Sequence, residues 1–451
     1  MNYKRVQTKS ENIIKKSEVQ TVMVMEEVIQ INGYNLHLIP TKKFKTINMV
    51  AKFKAPLNKK VMTKRALLPY LIQQGPKEYP SRTEFQAKLD DLYGAALSID
   101  GAKKGDYHIM SFRFEVANQH YIKNESSILG DSINLFNEII FNPNVADDAF
   151  DSELFKREKE TLKRRIRSIE DDKMSYANMR LIDEMCKNER YRIHVHGYEE
   201  ELEQLTAEEL YEYYKQMIQQ DNLDIFLVGD FDKETMTELF TSRFKKDRSS
   251  NPSLHSFSEE EKNSAERVKE ITESQSIQQA KLHIGYRTNV RFQDDDYFAL
   301  HVFNGIFGSF PSSKLFLNVR EKHSLAYYAS SRIESHKGLL IVFSGIAPGD
   351  YEKAREIIEM QMIAMKKGDF TNDDLSETKE LIVNQLLETL DNPQGIIEML
   401  YQQVIAAKDL TPDELIRGIK QVTKDEVTEV ANKINEDTVY LLTSEGENSV
   451  G

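Results

Sequence analysis

The chain has 451 residues, of which 40% are hydrophobic and 29% are charged, and its formal net charge is −13. A chain of this length exceeds what one hydrophobic core accommodates, so we predict a globular protein of at least two domains. The acidic balance argues against a broad nucleic-acid surface, and the single cysteine, Cys186, excludes an internal disulfide framework and a cysteine-based metal site.

The N-terminal segment is charged throughout and lacks the apolar run of a secretion signal. No stretch of the sequence reaches the roughly 20 apolar residues that a membrane-spanning helix needs. We therefore predict a cytoplasmic protein that does not insert into membranes.

The first half of the chain alternates strand-like and helix-like segments. The strand-like INMVAKFKA precedes an apolar helix, RALLPYLIQQG, and the alternating strand YHIMSFRFEV follows. A long charged segment of helical period, DSELFKREKETLKRRIRSIEDD, comes next, and LDIFLVGDF reads as a closing strand.

The second half repeats this order. The strand QAKLHIGYRTN, the apolar helix YFALHVFNGIFG, the strand GLLIVFSGI, a long charged helix and the closing strand DTVYLLTSE correspond to elements of the first half. Two copies indicate a duplicated domain and not a solenoid. We predict an α+β fold with two homologous domains in tandem, each a largely antiparallel sheet with helices packed on one face. The predicted domains span 1–245 and 267–451, and a polar, Ser-rich linker covers 246–266.

The residues alone show no complete catalytic constellation. Zinc hydrolases commonly place two histidines one helical turn apart, but no two of the ten histidines stand three or four residues apart. His194 and His196 are the closest pair, and without a third ligand a loop or strand-end role is favoured. No G-x-S-x-G motif and no phosphate-binding loop occurs.

One stretch of the first half nevertheless resembles the M16 family of zinc metallopeptidases, the group of insulinase, pitrilysin and mitochondrial processing peptidase. The family carries H-x-x-E-H on a helix, followed by a glycine and a Tyr-Pro-Ser element, and ALLPYLIQQGPKEYPS follows this layout. The three functional positions of the motif then fall on Ala66, Pro69 and Tyr70. The resemblance therefore implies a zinc helix that has lost its ligands. Pro69 is expected to kink this helix or to make it start late.

The family's third zinc ligand is a glutamate on a later helix, seven residues after another glutamate. One alignment places the earlier glutamate on Glu158 and the ligand on Arg165; a shifted alignment uses Glu153 and Glu160. Either alignment leaves no zinc site in this chain.

The second half resembles the family more closely. SSKLFLNVREKHSLAYYAS is similar to a family segment whose arginine and tyrosine contact substrate, and these correspond to Arg320 and Tyr327. A guanidinium and a phenol are suitable donors for an oxygen that becomes negative during hydrolysis. The alternative is that Arg320 pairs with Glu321 or Glu334 and that Tyr327 packs in the core.

The resemblance implies a non-catalytic subunit of a heterodimeric M16 peptidase, inactive alone, which closes the chamber and positions an oligopeptide or unfolded segment. Zinc is expected in the partner chain and no cofactor in this one. The expected peptide-binding edge strand is YGAALSID, whose residues are Gly94, Ala95, Ala96, Leu97 and Ser98 with their neighbours. The alternative is an M16-derived peptide-binding or scaffold protein with no role in proteolysis.

Overall fold

A computed structural model describes residues 4–5, 25–31, 33–123, 127–244 and 267–445. The predicted linker, 246–266, lies outside these residues. The described chain forms two compact units, and neither is continuous in sequence. The first unit takes the described residues up to Arg167, those from Ile193 to Phe244, and Leu390–Leu400. The second takes Ser168–Arg192, the residues from Arg267 to Thr389, and the described residues from Tyr401 onward.

The strands are β1 (Lys4–Arg5), β2 (Glu27–Ile31), β3 (Tyr34–Pro40), β4 (Thr46–Pro56), β5 (Ala96–Lys104), β6 (Tyr107–Ala117), β7 (Val145–Ala146), β8 (Ala149–Phe150), β9 (Asn222–Gly229), β10 (Lys269–Gln275), β11 (Ala280–Arg287), β12 (Ala326–Glu334), β13 (Leu339–Ile346) and β14 (Asn435–Ser444).

The α-helices are α1 (Lys59–Ile72), α2 (Arg82–Asp91), α3 (Ile128–Phe141), α4 (Ser152–Asp171), α5 (Lys173–Met185), α6 (Glu199–Gln204), α7 (Ala207–Gln220), α8 (Lys233–Arg243), α9 (Tyr297–Asn304), α10 (Tyr351–Lys366), α11 (Asn372–Thr389), α12 (Pro393–Ala406), α13 (Pro412–Gln421) and α14 (Lys424–Lys433). Gly305–Ser309 and Phe316–Lys322 are π-helical. Within the described part of the chain, no helix combines the length and apolarity that crossing a membrane requires.

The first unit is built on a seven-stranded sheet of order β1-β2-β3-β9-β4-β6-β5, in which only the β3–β9 pair is parallel among the described strands. Successive side chains of a strand point to opposite faces. Ile47, Met49 and Phe53 of β4 therefore enter the main core, which the helices cover. Lys52 lies on the other face, where it pairs with Glu398 of α12.

The second unit contains a five-stranded sheet of order β10-β14-β11-β13-β12, with β10 and β14 parallel. Its main core lies between one face of this sheet and helices of the second half. Its other face is covered by α5, so Leu181 and Met185 pack in one cluster with Ile341 and Phe343. Every residue of β13 is consequently buried, which explains why this strand is apolar at every position except Ser344.

The predicted fold class is confirmed: the protein is α+β, with two homologous, antiparallel-rich sheet-and-helix domains. The domain boundaries stay a prediction.

Candidate functional site

Helix α1 carries the positions of the degenerate zinc motif. It begins after Asn58, whose side chain accepts a hydrogen bond from the Lys60 N–H, and it passes through Pro69 before ending at Ile72. The expectation of a late start is therefore wrong, because the helix is capped by Asn58, begins at Lys59 and continues through Pro69. Gly75, at φ +131°, turns the chain after the helix, where a Cβ atom would lie 2.7 Å from the Tyr79 carbonyl oxygen.

Thr63, Ala66 and Tyr70 share one face of α1, since they stand at positions i, i+3 and i+7. The segment 193–198 contacts the Thr63 end of this face. There the Tyr198 N–H donates to Thr63 Oγ1 at 3.1 Å, and a Cβ on Gly197 would lie 2.6 Å from Thr63 Cα. These contacts bring the loop that carries His194 and His196 to the degenerate motif.

Helix α4 contributes the third-ligand positions. Phe155, Glu158 and Leu162 are buried, and Arg165 continues the same helix face by one turn, where it is exposed. Glu160 is also exposed, and the helical period places it on the opposite side of α4.

Arg157 connects α4 to the residues that follow α1. Its Nε donates to Glu158 Oε1 at 2.8 Å and its Nη2 to Gln74 Oε1 at 3.1 Å. Tyr70 lies within electrostatic reach of Arg165 and Glu158: burial raises the pKa of Tyr70, the Arg165 charge opposes this shift, and the Glu158 charge adds to it. Burial thus turns the face of α4 that carries Glu158 toward the core, whereas Glu160 lies on the opposite side, and the choice between the two alignments stays a prediction.

The residues present do not fit a zinc ion. The four positions offer a methyl group, a pyrrolidine ring, a phenol and a guanidinium, whereas zinc takes imidazole, thiolate or carboxylate ligands. The guanidinium of Arg165 would also repel a cation at this place. In the part of the chain that the structure describes, no group of three His, Cys, Asp or Glu side chains could hold a metal ion.

A buried charged network behind α1 was missed by sequence reasoning. Arg65 is fully buried; its Nη1 donates to Asp221 Oδ2 at 2.6 Å and to the Tyr213 hydroxyl at 3.1 Å, and its Nε donates to His108 Nδ1 at 2.9 Å. Burial and then the charge of Arg65 hold the pKa of His108 well below its usual range, so this histidine is neutral. The only sequence signal was a basic residue at the start of an apolar helical run.

Arg320 and Tyr327 lie on the second unit. Arg320 belongs to the π-helical segment Phe316–Lys322; its guanidinium carbon lies 4.6 Å from the centre of the Phe316 ring, and its Nε is 3.6 Å from Glu321 Oε1. The contact with Glu321 matches one alternative weighed from the sequence, but both side chains are exposed. Tyr327 is 73% exposed and does not pack in the core.

A β-bulge explains the exposure of Tyr327. Ala326 pairs with Ile346 and Tyr328 pairs with Gly345, so Tyr327 is an extra residue in edge strand β12. A bulge changes the direction in which a side chain points. Tyr328 instead turns inward, where a Cβ on Gly345 would lie 2.4 Å from its ring.

The predicted peptide-binding segment lies at a sheet edge of the first unit. Among the described strands, β5 is the edge of its sheet and pairs only with β6. Gly94 and Ala95 precede the strand, whereas Ala96 and Ser98 are exposed within it, and Leu97 is partly buried on the helix side.

These features define a metallopeptidase-like chain whose metal-binding helix has lost its ligands. Residues 204–382 match the model of the Peptidase M16 inactive domain. The chain is 44% identical over 410 residues to the probable inactive metalloprotease YmfF of Bacillus subtilis (strain 168), across 91% of this chain and 96% of that protein. It is 23% identical over 314 residues to the uncharacterized zinc protease YmxG of the same strain, across 66% of this chain and 72% of YmxG.

The crystal structure of a conserved protein from Enterococcus faecalis V583 is similar over 94% of this chain and 100% of that chain, with 35% identity and a TM-score of 0.86. The chain therefore belongs to the M16 metallopeptidase family, as an inactive-type homologue that lacks the H-x-x-E-H motif.

Proposed function

We propose that this chain is the non-catalytic subunit of a two-chain M16-type zinc peptidase. A zinc-bearing M16 paralogue supplies the metal site, and this chain closes the chamber and positions an oligopeptide or unfolded segment. The observation that carries the proposal is a contrast: the α1 and α4 positions hold no zinc ligand, whereas Arg320 and Tyr327 are exposed and carry hydrogen-bond donors.

The chemistry of these two donors suits a hydrolase site completed by a partner. When water attacks a peptide carbonyl, its oxygen becomes negative, and a guanidinium and a phenol placed beside it stabilise that charge. Neither group can activate the water, because that step needs a metal or a base. Arg320 and Tyr327 therefore assist a reaction that the partner carries out.

Strand β5 supports the substrate part of the proposal. An edge strand presents unpaired backbone N–H and C=O groups that accept a further extended peptide. The exposed residues Ala96, Ser98 and Ala102 are small, so a peptide backbone can approach closely.

The test of the proposed function is cleavage of an unstructured peptide by this chain, by a zinc-bearing M16 paralogue from the same genome, and by the two together. We expect the mixture to exceed the sum of the separate activities. Arg320→Ala should lower the activity of the mixture about 100-fold. Lys322→Ala, which removes an equally exposed charge from the same segment, should leave it unchanged.

Activity of this chain alone would disprove the proposal. If no paralogue is activated but the chain still binds peptides, the scaffold or peptide-binding alternative is correct.

Strand addition at β5 can be tested with peptides that are N-methylated at every second residue. The peptide methylated in the phase that faces β5 should lose binding, whereas the peptide methylated one residue along should retain it. Equal binding of both peptides would exclude main-chain pairing.

A further inference from the structure

His283 lies on the central strand of the second sheet, on the face that α5 covers. It belongs to β11, is fully buried, and pairs across the sheet with Phe343 of β13 and Tyr440 of β14. Both of these partners belong to the apolar cluster under α5. The helix packs directly on β11, since a Cβ on Gly285 would lie 2.6 Å from Met185 Sδ. His283 is therefore enclosed between this sheet and α5.

Neither ring nitrogen of His283 has a hydrogen-bond partner among the residues that the structure describes. Its ring instead meets the Phe343 ring edge to face, with the ring centres 5.1 Å apart. A neutral imidazole carries one N–H donor and one acceptor, and leaving both unpaired in the interior costs free energy. An imidazolium would cost much more, because a full charge and two donors would be kept away from water. The covered arrangement therefore requires the neutral form of His283.

The positive charges around His283 oppose its protonation further. Lys281 precedes it by two residues on β11 and places its Nζ 5.4 Å from the centre of the Tyr328 ring. Arg332 of β12 places its guanidinium carbon 5.2 Å from the centre of the Phe343 ring. Burial first, and then the charges of Lys281 and Arg332, lower the pKa of His283 from 6.5 to about 3.

The carboxylates of this face already have partners within the chain. Glu273 of β10 accepts hydrogen bonds from Arg180 Nε at 2.8 Å, from the Tyr176 hydroxyl at 3.0 Å and from the Tyr440 hydroxyl at 2.8 Å. The carboxylates of α5 and of its N-cap are likewise engaged by backbone N–H groups or by Arg180, and they are Asp172, Asp183 and Glu184. A proton on His283 would therefore add a third positive charge beside Lys281 and Arg332.

We infer that α5 is a proton-sensitive cover of the second sheet. The helix lies on the sheet while His283 is neutral, and it opens when this imidazole takes up a proton and enters water. The segment that carries α5, Ser168–Arg192, stands in sequence between two parts of the first unit, and α5 can leave the sheet without breaking a strand pairing. The inference is independent of the proposed function, because it concerns how this sheet is covered and not what the chain binds.

The direction of the pH effect follows from the two protonation equilibria. The covered form holds the pKa of His283 at about 3, whereas an imidazole in water titrates near 6.5, so the covered form binds the proton less tightly than the open form. The cover is fully favoured above pH 6.5, and the open fraction rises up to about tenfold for each pH unit below that value. Between pH 7.5 and pH 5.0 the open fraction should therefore increase about 30-fold.

The single cysteine of the chain can report this opening. Cys186 is buried in the cluster under α5, at the C-terminal end of the helix. The test measures the rate at which dithiodipyridine, a disulfide reagent that works in mild acid, labels the thiol of the full native chain at the two pH values. Each rate is divided by the rate of the urea-unfolded chain at the same pH, which removes the titration of the thiol itself. We expect the corrected rate to rise about 30-fold from pH 7.5 to pH 5.0.

The variants His283→Gln and His283→Leu should show the same corrected rate at both pH values, because neither side chain titrates in this range. His301→Gln is the matched control: burial also lowers the pKa of His301, to about 4, but this residue lies on α9 and not under α5. It should keep the 30-fold rise. A rise of less than about threefold in the unsubstituted chain, or an equal rise in the His283 variants, would overturn the inference.

Hydrogen exchange of the unsubstituted chain decides the matter if neither His283 variant folds. Amide exchange rates are compared with those of the unfolded chain at each pH, for α5 and for α10, which packs on the other face of the sheet. Loss of protection at pH 5.0 in α5 but not in α10 is the expected result. Equal changes in both helices, or no change in α5, would reject the inference.

Discussion

At the scale of single residues, the first unit contains charges that its sequence pattern does not reveal. His37 of β3 is buried between two carboxylates, with Nδ1 2.7 Å from Glu26 Oε1 and Nε2 3.4 Å from Asp224 Oδ1. It also stacks on the ring of Phe226, with the ring centres 4.1 Å apart. Asp224 and Phe226 belong to β9, which is distant in sequence, so the residue pattern of β3 alone predicts only an ordinary packed or surface histidine at this position.

The buried Arg65–Asp221 pair yields a stability prediction. In Asp221→Asn, the guanidinium of Arg65 loses its counter-charge in a site without solvent, so the free energy of unfolding should fall by about 3–5 kcal/mol. Urea unfolding measures this. Glu212→Gln breaks the exposed Glu212–Lys215 pair and should cause no measurable change. A similar small effect in both variants would show that Asp221 does not stabilise Arg65.

His37 should make stability depend on pH. Burial by itself would lower its pKa, but hydrogen bonds and charge interactions with Asp224 and Glu26 outweigh burial and raise the pKa to about 9 from 6.5. The folded protein therefore binds the proton more tightly than the unfolded chain. The contribution, up to about 3 kcal/mol, is fully present below pH 6.5 and is lost as the pH rises through about 9.

Urea unfolding at a series of pH values between 6 and about 10 checks this prediction. The His37→Gln variant should lack this part of the decline. An unchanged slope in that variant would contradict the assignment of the raised pKa to His37.

At the scale of elements, α1 and α4 carry the positions that the family resemblance assigns to the zinc ligands, but the side chains there do not fit zinc. The glycine and the Tyr-Pro-Ser element after α1 predict its motif positions from sequence. The third ligand has two possible alignments, since the charged helix offers several acidic residues. Only the burial of Phe155 and Leu162 shows which face of α4 is turned toward the core, and Arg165 continues that face.

Restoring the ligands tests this geometry. The variant Ala66→His, Pro69→Glu, Tyr70→His with Arg165→Glu should bind one zinc ion, because two histidines at i and i+4 and a glutamate then meet. The same variant with Arg165 retained should bind zinc far more weakly, although Glu160 is present. Isothermal titration calorimetry measures the difference. Equal zinc affinity in the two variants would favour the alignment that uses Glu160.

At the scale of the whole molecule, the bounds of the two units differ from the bounds of the sequence repeat, because each unit includes a segment from the other half of the chain. Ser168–Arg192 belongs to the second unit and Leu390–Leu400 to the first. Apolar side chains of α5 cover one face of the second sheet. Glu189 fixes the end of this segment, with Oε1 2.6 Å from Arg287 Nη2 and Oε2 2.9 Å from Lys337 Nζ.

This arrangement predicts that residues 267–451 alone do not form a stable domain. Removing α5 exposes Ile341, Phe343 and Leu442, and each buried side chain of this size contributes about 1.5–3 kcal/mol. We expect the fragment to bind a hydrophobic dye and to lack near-UV circular dichroism. Fusing residues 168–192 to it through a flexible linker should restore a cooperative transition. A stable fragment without them would show that the duplicated halves fold independently.

The amino-acid sequence by itself determined the duplication, the α+β class and the loss of the H-x-x-E-H motif. These features depend on local periodicity and on short motifs, which are visible in the amino-acid sequence itself. The tertiary structure decided which face of α4 is buried, that a bulge exposes Tyr327, that Arg65 and His37 are buried among charges, and that α5 covers the second sheet. Each of these depends on contacts between residues far apart in the chain, and the free energy that selects such contacts is not encoded in any one local pattern.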